Sequence, residues 1–290
     1  MDGTREDLAP DLAITGSTGW LGGLVAGALA ARGVSQRLLV RDSSRAPALA
    51  GAVVRECTYG DRQAAERALA GVRTLFMVSA AEQEDRLREH RTFVDAAAAA
   101  GVAHVVYISF FGAAPTATFT LARDHWATEE HLRASGMTWT FLRDNLYLEF
   151  MDQMVGPDGV IRGPAGDGRA AVVSHDDIAR AAVAVLSDPA AHVGRTYDLT
   201  GPEALSFAEM ATLIREVTGR DVSFHDETIE EAYASRATYG APDWQVDAWV
   251  STYTAVRAGE LDGVSGDVER LTGRQPTSLR EHLEAQHSQP

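Results

Sequence analysis

A doubly wound parallel α/β sheet joined to a smaller, mainly helical lobe is the architecture this sequence predicts, on three observations. From residue 11 to residue 200, short β-branched apolar runs alternate with longer segments of helical spacing. The first apolar run passes directly into a glycine-rich turn and then a helical segment. Beyond residue 200 the alternation gives way to segments rich in acidic and aromatic residues.

Taken in order, Leu12–Thr15, Arg37–Val40, Val53–Thr58, Thr74–Val78, Val105–Ser109 and Thr138–Leu142 have the length and composition of buried parallel strands. Between them Leu21–Ala31, Arg62–Leu69, Asp85–Ala100 and His125–Ala134 are spaced as helices. Gly33, Gly71, Gly101 and Gly136 each follow one of these helices, where a left-handed terminator is expected. Glycine and proline crowd residues 156–168, which reads as a surface excursion within 146–170 towards the second lobe. A helix over Asp176–Leu186 and a strand over Thr196–Leu199 complete a nucleotide-binding domain spanning 11–200. Ser206-x-x-Glu209 and Ser278-x-x-Glu281 are capping boxes, each opening a helix of the lobe at 201–290. Tyr239, Trp244, Trp249 and Tyr253 are its core, or the walls of a flat apolar pocket.

Composition excludes several functions. All 26 basic residues are arginine. A chain without lysine has no Walker P-loop, no Schiff-base chemistry and no Tyr-x-x-x-Lys pair. A formal charge of −15 argues against nucleic-acid and anionic-membrane partners, and solubility accounts for the acidic lobe. One cysteine, Cys57, forms no intramolecular disulfide and reads as apolar filler. None of the histidine spacings suggests a metal site. With no signal peptide and no long apolar stretch, a cytoplasmic protein is expected, and a homodimer stays open.

The chemistry lies in Gly16-Ser17-Thr18-Gly19-Trp20-Leu21-Gly22, where strand turns into helix. Glycines there allow a tight turn, backbone approach to a pyrophosphate and close helix-on-strand packing, and free helical N–H groups bind the phosphates. Gly16, Ser17, Thr18, Gly19, Trp20 and Leu21 are therefore the candidate phosphate-binding segment of a Rossmann-type domain. At the tip of the second strand, Arg41 favours the 2′-phosphate of NADP, whereas Asp42 would favour NAD if the tip fell one residue later. NADPH is the expected cofactor.

These motifs resemble those of the NmrA-like, atypical branch of the short-chain dehydrogenase/reductase family, and most closely its bacterial NAD(P)H:quinone oxidoreductases. The resemblance continues through Arg123-Asp124-His125-x-x-x-Glu129, Leu142-Arg143-x-Asn145-x-Tyr147, Gly166-Asp167-Gly168 and Ser174-x-x-Asp177. It implies that Val78 and Ser79 pass near the adenosine or pyrophosphate. Ser109 and Phe110 would face the nicotinamide, while Arg143, Asn145 and Tyr147 would close over it or the substrate. Asp61 would reach the adenine, or merely cap the next helix. His125 stands near the place of the missing lysine and is the candidate for orienting the nicotinamide ribose or supplying a proton, against the alternative of a satisfied helical residue. Tyr147 is a second candidate proton donor, or a pocket wall. The implied activity is hydride transfer from NADPH to a small flat acceptor, a quinone or similar conjugated carbonyl. The other reading is an NADP(H)-binding, redox-sensing regulator without turnover.

Overall fold

The computed structural model describes residues 10–287. In chain order its elements are β1 (Leu12–Thr15), α1 (Trp20–Ala31), β2 (Gln36–Val40), β3 (Ala52–Glu56), α2 (Arg62–Leu69), β4 (Thr74–Met77), α3 (Arg86–Ala99), β5 (His104–Phe110), α4 (Thr120–Ala134) and β6 (Thr138–Asp144). They continue with β7 (Val160–Gly163), β8 (Arg169–Ala170), α5 (His175–Ser187), β9 (Arg195–Leu199), β10 (Leu205–Ser206), α6 (Phe207–Thr218), β11 (Ser223–Asp226), α7 (Ile229–Ala237), α8 (Asp243–Arg257), α9 (Asp267–Thr272) and α10 (Leu279–His287). No helix among the described residues is long and apolar enough to cross a membrane.

Seven strands make one parallel sheet in the order β3-β2-β1-β4-β5-β6-β9, so the strand order reverses between β1 and β4. Ligands of such sheets bind outside the strand C-termini at that reversal. Both faces are covered. Leu12, Ile14, Phe76, Val106, Ile108 and Leu142 pack against α1 and α5, and Leu75, Met77, Tyr107 and Phe141 against the α3 and α4 side. Gly33, Gly71, Gly101 and Gly136 all take the left-handed backbone expected of helix terminators, with φ of 75–83°. Ser206 and Glu209 form a complete capping box.

Two expectations need correction. Residues 156–168 are not a surface excursion: β7 pairs in parallel with β11 and β8 antiparallel with β10. Ile161, Ala165 and Ala170 join a core with Phe207, Met210 and Tyr253. The glycines serve packing, since a Cβ on Gly163 would stand 2.1 Å from the Tyr253 ring and one on Gly168 2.1 Å from the Val256 carbonyl. Helix α4 begins at Thr120, five residues before the expected start at His125, so His125 lies in its second turn and faces the core.

At the turn from β1 into α1, Gly16 has a φ of 68° and Gly22 lies against its carbonyl. A Cβ on Gly22 would fall 2.3 Å from the Gly16 oxygen, a backbone atom that has nowhere to go. Gly22→Ala is therefore expected to destabilise the fold by about 1–3 kcal/mol, as overpacking does, in a urea titration of the apo protein.

Candidate active site

The glycine turn opens onto a cleft of about 570 Å³ along the C-terminal edge of β1, β2 and β4. Gly16, Thr18, Gly19, Trp20, Leu21, Arg41, Val78 and Ser79 all line it. Gly19 caps α1 without a side-chain hydrogen bond, which leaves first-turn N–H groups for a ligand. A Cβ added to Gly19 would meet only the Gly16 oxygen, at 3.4 Å, so the hydrogen there keeps an open approach to those groups. Ser17 turns inward and does not line the cleft, and its buried hydroxyl has no protein partner. Free N–H donors and an open glycine fit a dinucleotide pyrophosphate, whereas Ser17, expected to bind it, is turned away from the cleft.

The end of β2 treats Arg41 and Asp42 differently. Asp42 accepts hydrogen bonds from Ser44 N at 2.9 Å and Ser44 Oγ at 2.6 Å, so its carboxylate caps the turn that follows. Those bonds hold its pKa below the usual range. Arg41 is exposed and lines the cleft, free to meet a 2′-phosphate. Asp61, likewise, caps α2 through Ala64 N. Sequence reasoning missed Tyr59, whose hydroxyl donates to Val78 O at 2.5 Å and lies 2.7 Å from Thr15 Oγ1. Cys57 also lines the cleft, but burial pushes its thiol up to about 11, which makes it a poor nucleophile.

A second set of missed residues fixes the loop after β4, where Ala80 forms part of the cleft wall. Ala80 N donates to His90 Nε2 at 2.9 Å, and Ala80 O accepts from Arg86 Nε at 3.0 Å. Arg86 is buried, and its Nη2 lies 2.8 Å from His125 Nε2. A guanidinium only donates, so His125 Nε2 accepts, and Nδ1 carries the proton facing Tyr107 Oη at 3.0 Å. Burial, with Arg86 beside it, pushes His125 well below the usual histidine range. His125 is thus a neutral member of a buried network outside the cleft lining. The expectation that it supplies a proton near pH 7 is corrected on that ground.

Three further expectations change for a geometric reason. Ser109 and Arg143 are register partners on β5 and β6, on the sheet face covered by α4. Ser109 Oγ donates to Glu129 Oε1 at 2.6 Å, and Arg143 binds both Glu129 oxygens at 2.8 and 2.7 Å. Asn145 donates to Leu261 O at 3.1 Å and accepts from Leu146 N, which ties β6 to the lobe. None of the three lines the cleft; they hold its frame.

Tyr147 does not line the cleft either, but its ring reaches it through His175 and Trp20. Its hydroxyl donates to Asp144 Oδ2 at 2.8 Å, and its ring lies 4.1 Å from the imidazole of His175. His175 stacks at 4.7 Å on Trp20, whose side chain is 53 % exposed over the glycine turn. Glu149 fixes His175 from beneath, accepting from its backbone N–H and lying 2.8 Å from its Nδ1. Phe150 completes an aromatic patch at this mouth.

Across from it the lobe holds a cavity of about 700 Å³, walled by Met154, Val155, Tyr239, Trp249 and Tyr253 with Arg162 and Arg236 at its edge. Trp244 does not line it. Trp249 Nε1 donates to Glu82 at 3.3 Å, and Glu82 lies between Ala81 and Gln83 of the cleft wall. The cavity and the cleft are therefore neighbours.

The NmrA-like family model matches residues 10–254. Quinone oxidoreductase 2 of Escherichia coli is 34 % identical over 279 residues, covering 94 % of this chain and 97 % of that protein. A (4-alkanoyl-5-oxo-2,5-dihydrofuran-3-yl)methyl phosphate reductase of Streptomyces griseus is 34 % identical over 281 residues, covering 94 % and 98 %. Among solved structures, an Escherichia coli NADPH-dependent quinone oxidoreductase in complex with NADPH superposes with a TM-score of 0.87 at 32 % identity, covering 96 % of this chain and 100 % of that one.

Two outcomes follow from the geometry. Arg41→Ala is expected to weaken NADPH binding about tenfold or more and leave NADH binding within about twofold, read by titrating nucleotide fluorescence. His125 is expected to stay neutral as the pH falls through 6.5, the ordinary histidine value, read from its ring-nitrogen chemical shifts.

Proposed function

The chain belongs to the NmrA-like family and is an NAD(P)H-dependent oxidoreductase, and within that class we propose that it passes hydride from NADPH to a flat conjugated carbonyl, a quinone or close analogue. The observation that carries this reading is the cleft itself. A glycine turn with free helical donors stands at the strand reversal, and Arg41 is free while Asp42 is engaged elsewhere. The nicotinamide supplies the hydride when bound. The chain's own contribution is to hold the dinucleotide along the cleft and to seat an acceptor beside it. Trp20, Tyr147, Phe150 and His175 offer aromatic surface at the mouth, and the lobe cavity adds the Trp249 and Tyr253 rings. Such walls favour a flat acceptor over a compact aliphatic ketone.

The acceptor chemistry agrees with what the chain lacks. Hydride addition to a conjugated carbonyl leaves a delocalised anion, which needs a weaker acid than an isolated alkoxide does. A tyrosine–lysine pair is then dispensable. Both named relatives act on acceptors of this kind, a quinone in one and an unsaturated lactone carrying a ketone in the other.

The test is NADPH oxidation at 340 nm with benzoquinone, menadione and an unsaturated lactone, against cyclohexanone as the unconjugated control. Turnover with the conjugated acceptors, at least about a hundredfold above that with cyclohexanone, is expected. Tight NADPH binding with no oxidation by any acceptor would instead favour a redox-sensing regulator.

A further inference from the structure

Asp144 has no part in the cofactor cleft, yet it is 2 % exposed at the C-terminal tip of β6, where the sheet meets the aromatic mouth. Its register partners, Phe110 on β5 and Leu199 on β9, are apolar. The Tyr147 hydroxyl lies 2.8 Å from its Oδ2. Arg86 from α3 is the cation acting on it, and Tyr107 of β5 is also within its field. Beyond Tyr147 stand Glu149 and His175, which are paired with each other. No arginine forms an ion pair with Asp144 among the described residues.

We propose that Asp144 and Tyr147 form a two-member acid: as the Tyr147 hydroxyl proton moves to the oxyanion of the reduced acceptor, the Asp144 carboxyl proton moves to the Tyr147 oxygen. This rests on the hydride-transfer reading above. Hydride addition puts two electrons and one hydrogen on the acceptor and leaves an oxyanion. An O–H bond forms there as the Tyr147 O–H breaks, and a new Tyr147 O–H forms as the Asp144 O–H breaks. The Asp144 carboxylate then takes a proton from water once the product has left. The net uptake is one hydride and one proton.

Tyr147 cannot do this alone. Burial and the neighbouring carboxylate hold its hydroxyl well above the ordinary tyrosine range, so with Asp144 charged the phenol keeps its proton. With Asp144 protonated, the carboxyl can donate to the Tyr147 oxygen and the phenolic hydrogen is freed for another acceptor. Burial pushes Asp144 up to about 8, which leaves it a neutral acid at pH 7. The sign follows: the acid is loaded below pH 8 and lost above it. The Tyr147 ring contacts His175, and His175 contacts Trp20 of the cleft, so the pair stands two side chains from the glycine turn.

The test pairs a stability profile with a rate profile. In the apo protein, the raised carboxyl pKa is a cost that builds up from about pH 4, where Asp144 of the unfolded chain ionises, to about pH 8, where the folded one does. The wild-type Tm should therefore fall relative to that of Asp144→Asn as the pH rises from about 4 to about 8, and the difference should level off above that. With NADPH and menadione, wild-type kcat should be level below about pH 7 and fall about tenfold per unit well above pH 8. Asp144→Asn should lower kcat at pH 7 about tenfold or more and flatten that profile, and Tyr147→Phe should lower kcat about a hundredfold with NADPH binding unchanged within about twofold. A Tm difference that does not change with pH, or an alkaline limb that survives in Asp144→Asn, overturns the acid and leaves hydride transfer standing. A wild type that oxidises NADPH with no conjugated acceptor overturns both.

Discussion

The close approach of α1 to β1 at Gly22 is the constraint on which the rest of the site depends. A Cβ on Gly22 would stand 2.3 Å from the Gly16 oxygen, so only hydrogen fits, and the helix can begin directly above the strand tip. That approach aims the uncapped first turn into the cleft. It also brings Trp20 over His175 and sets the aromatic mouth beside the phosphate end. Displacing the helix would cost the anion site and the acceptor platform together.

Buried polar groups then fix what the glycine turn leaves open. Arg86 and His90 hold both the carbonyl and the N–H of Ala80, and through His125 and Thr128 they anchor that segment to α4. Glu129 gathers Ser109, Arg133 and Arg143 into a second network on the same face. Arginine suits these buried roles because its planar fork satisfies several acceptors while the charge stays paired. In a chain without lysine, the frame and the cofactor's phosphate draw on one residue type, and burial separates the roles: Arg86 is enclosed and Arg41 is exposed.

Local features were legible in the sequence. Strand β1 and helix α2 fall within their expected bounds, because apolar runs, an Asp61 cap and terminal glycines act over a few residues. The early start of α4 was not legible. Its first turn has no side-chain cap from its neighbour Phe119, and the preceding Thr118 is held by Glu260, 142 residues away. Pairing of β7 with β11 was hidden likewise, since glycines read locally as turn formers serve there to admit Tyr253 and Val256. Within the site, the glycine turn, Arg41, Val78 and Ser79 could be placed because strand tips are fixed by the fold. Ser109 and Arg143 could not, because β-strand alternation decides which face a side chain takes, and Glu129 on another element decides what it meets.

The most direct measurement is of the hydrogen itself. NADPH deuterated at the transferring position of nicotinamide C4 would be turned over with an unsaturated lactone, and the reduced product analysed by mass spectrometry. One deuterium on carbon in the product is the predicted result, because hydride transfer moves that atom directly and without exchange with water. A reduced product free of deuterium, or no reduced product from a protein that binds NADPH, would contradict hydride transfer to a conjugated acceptor.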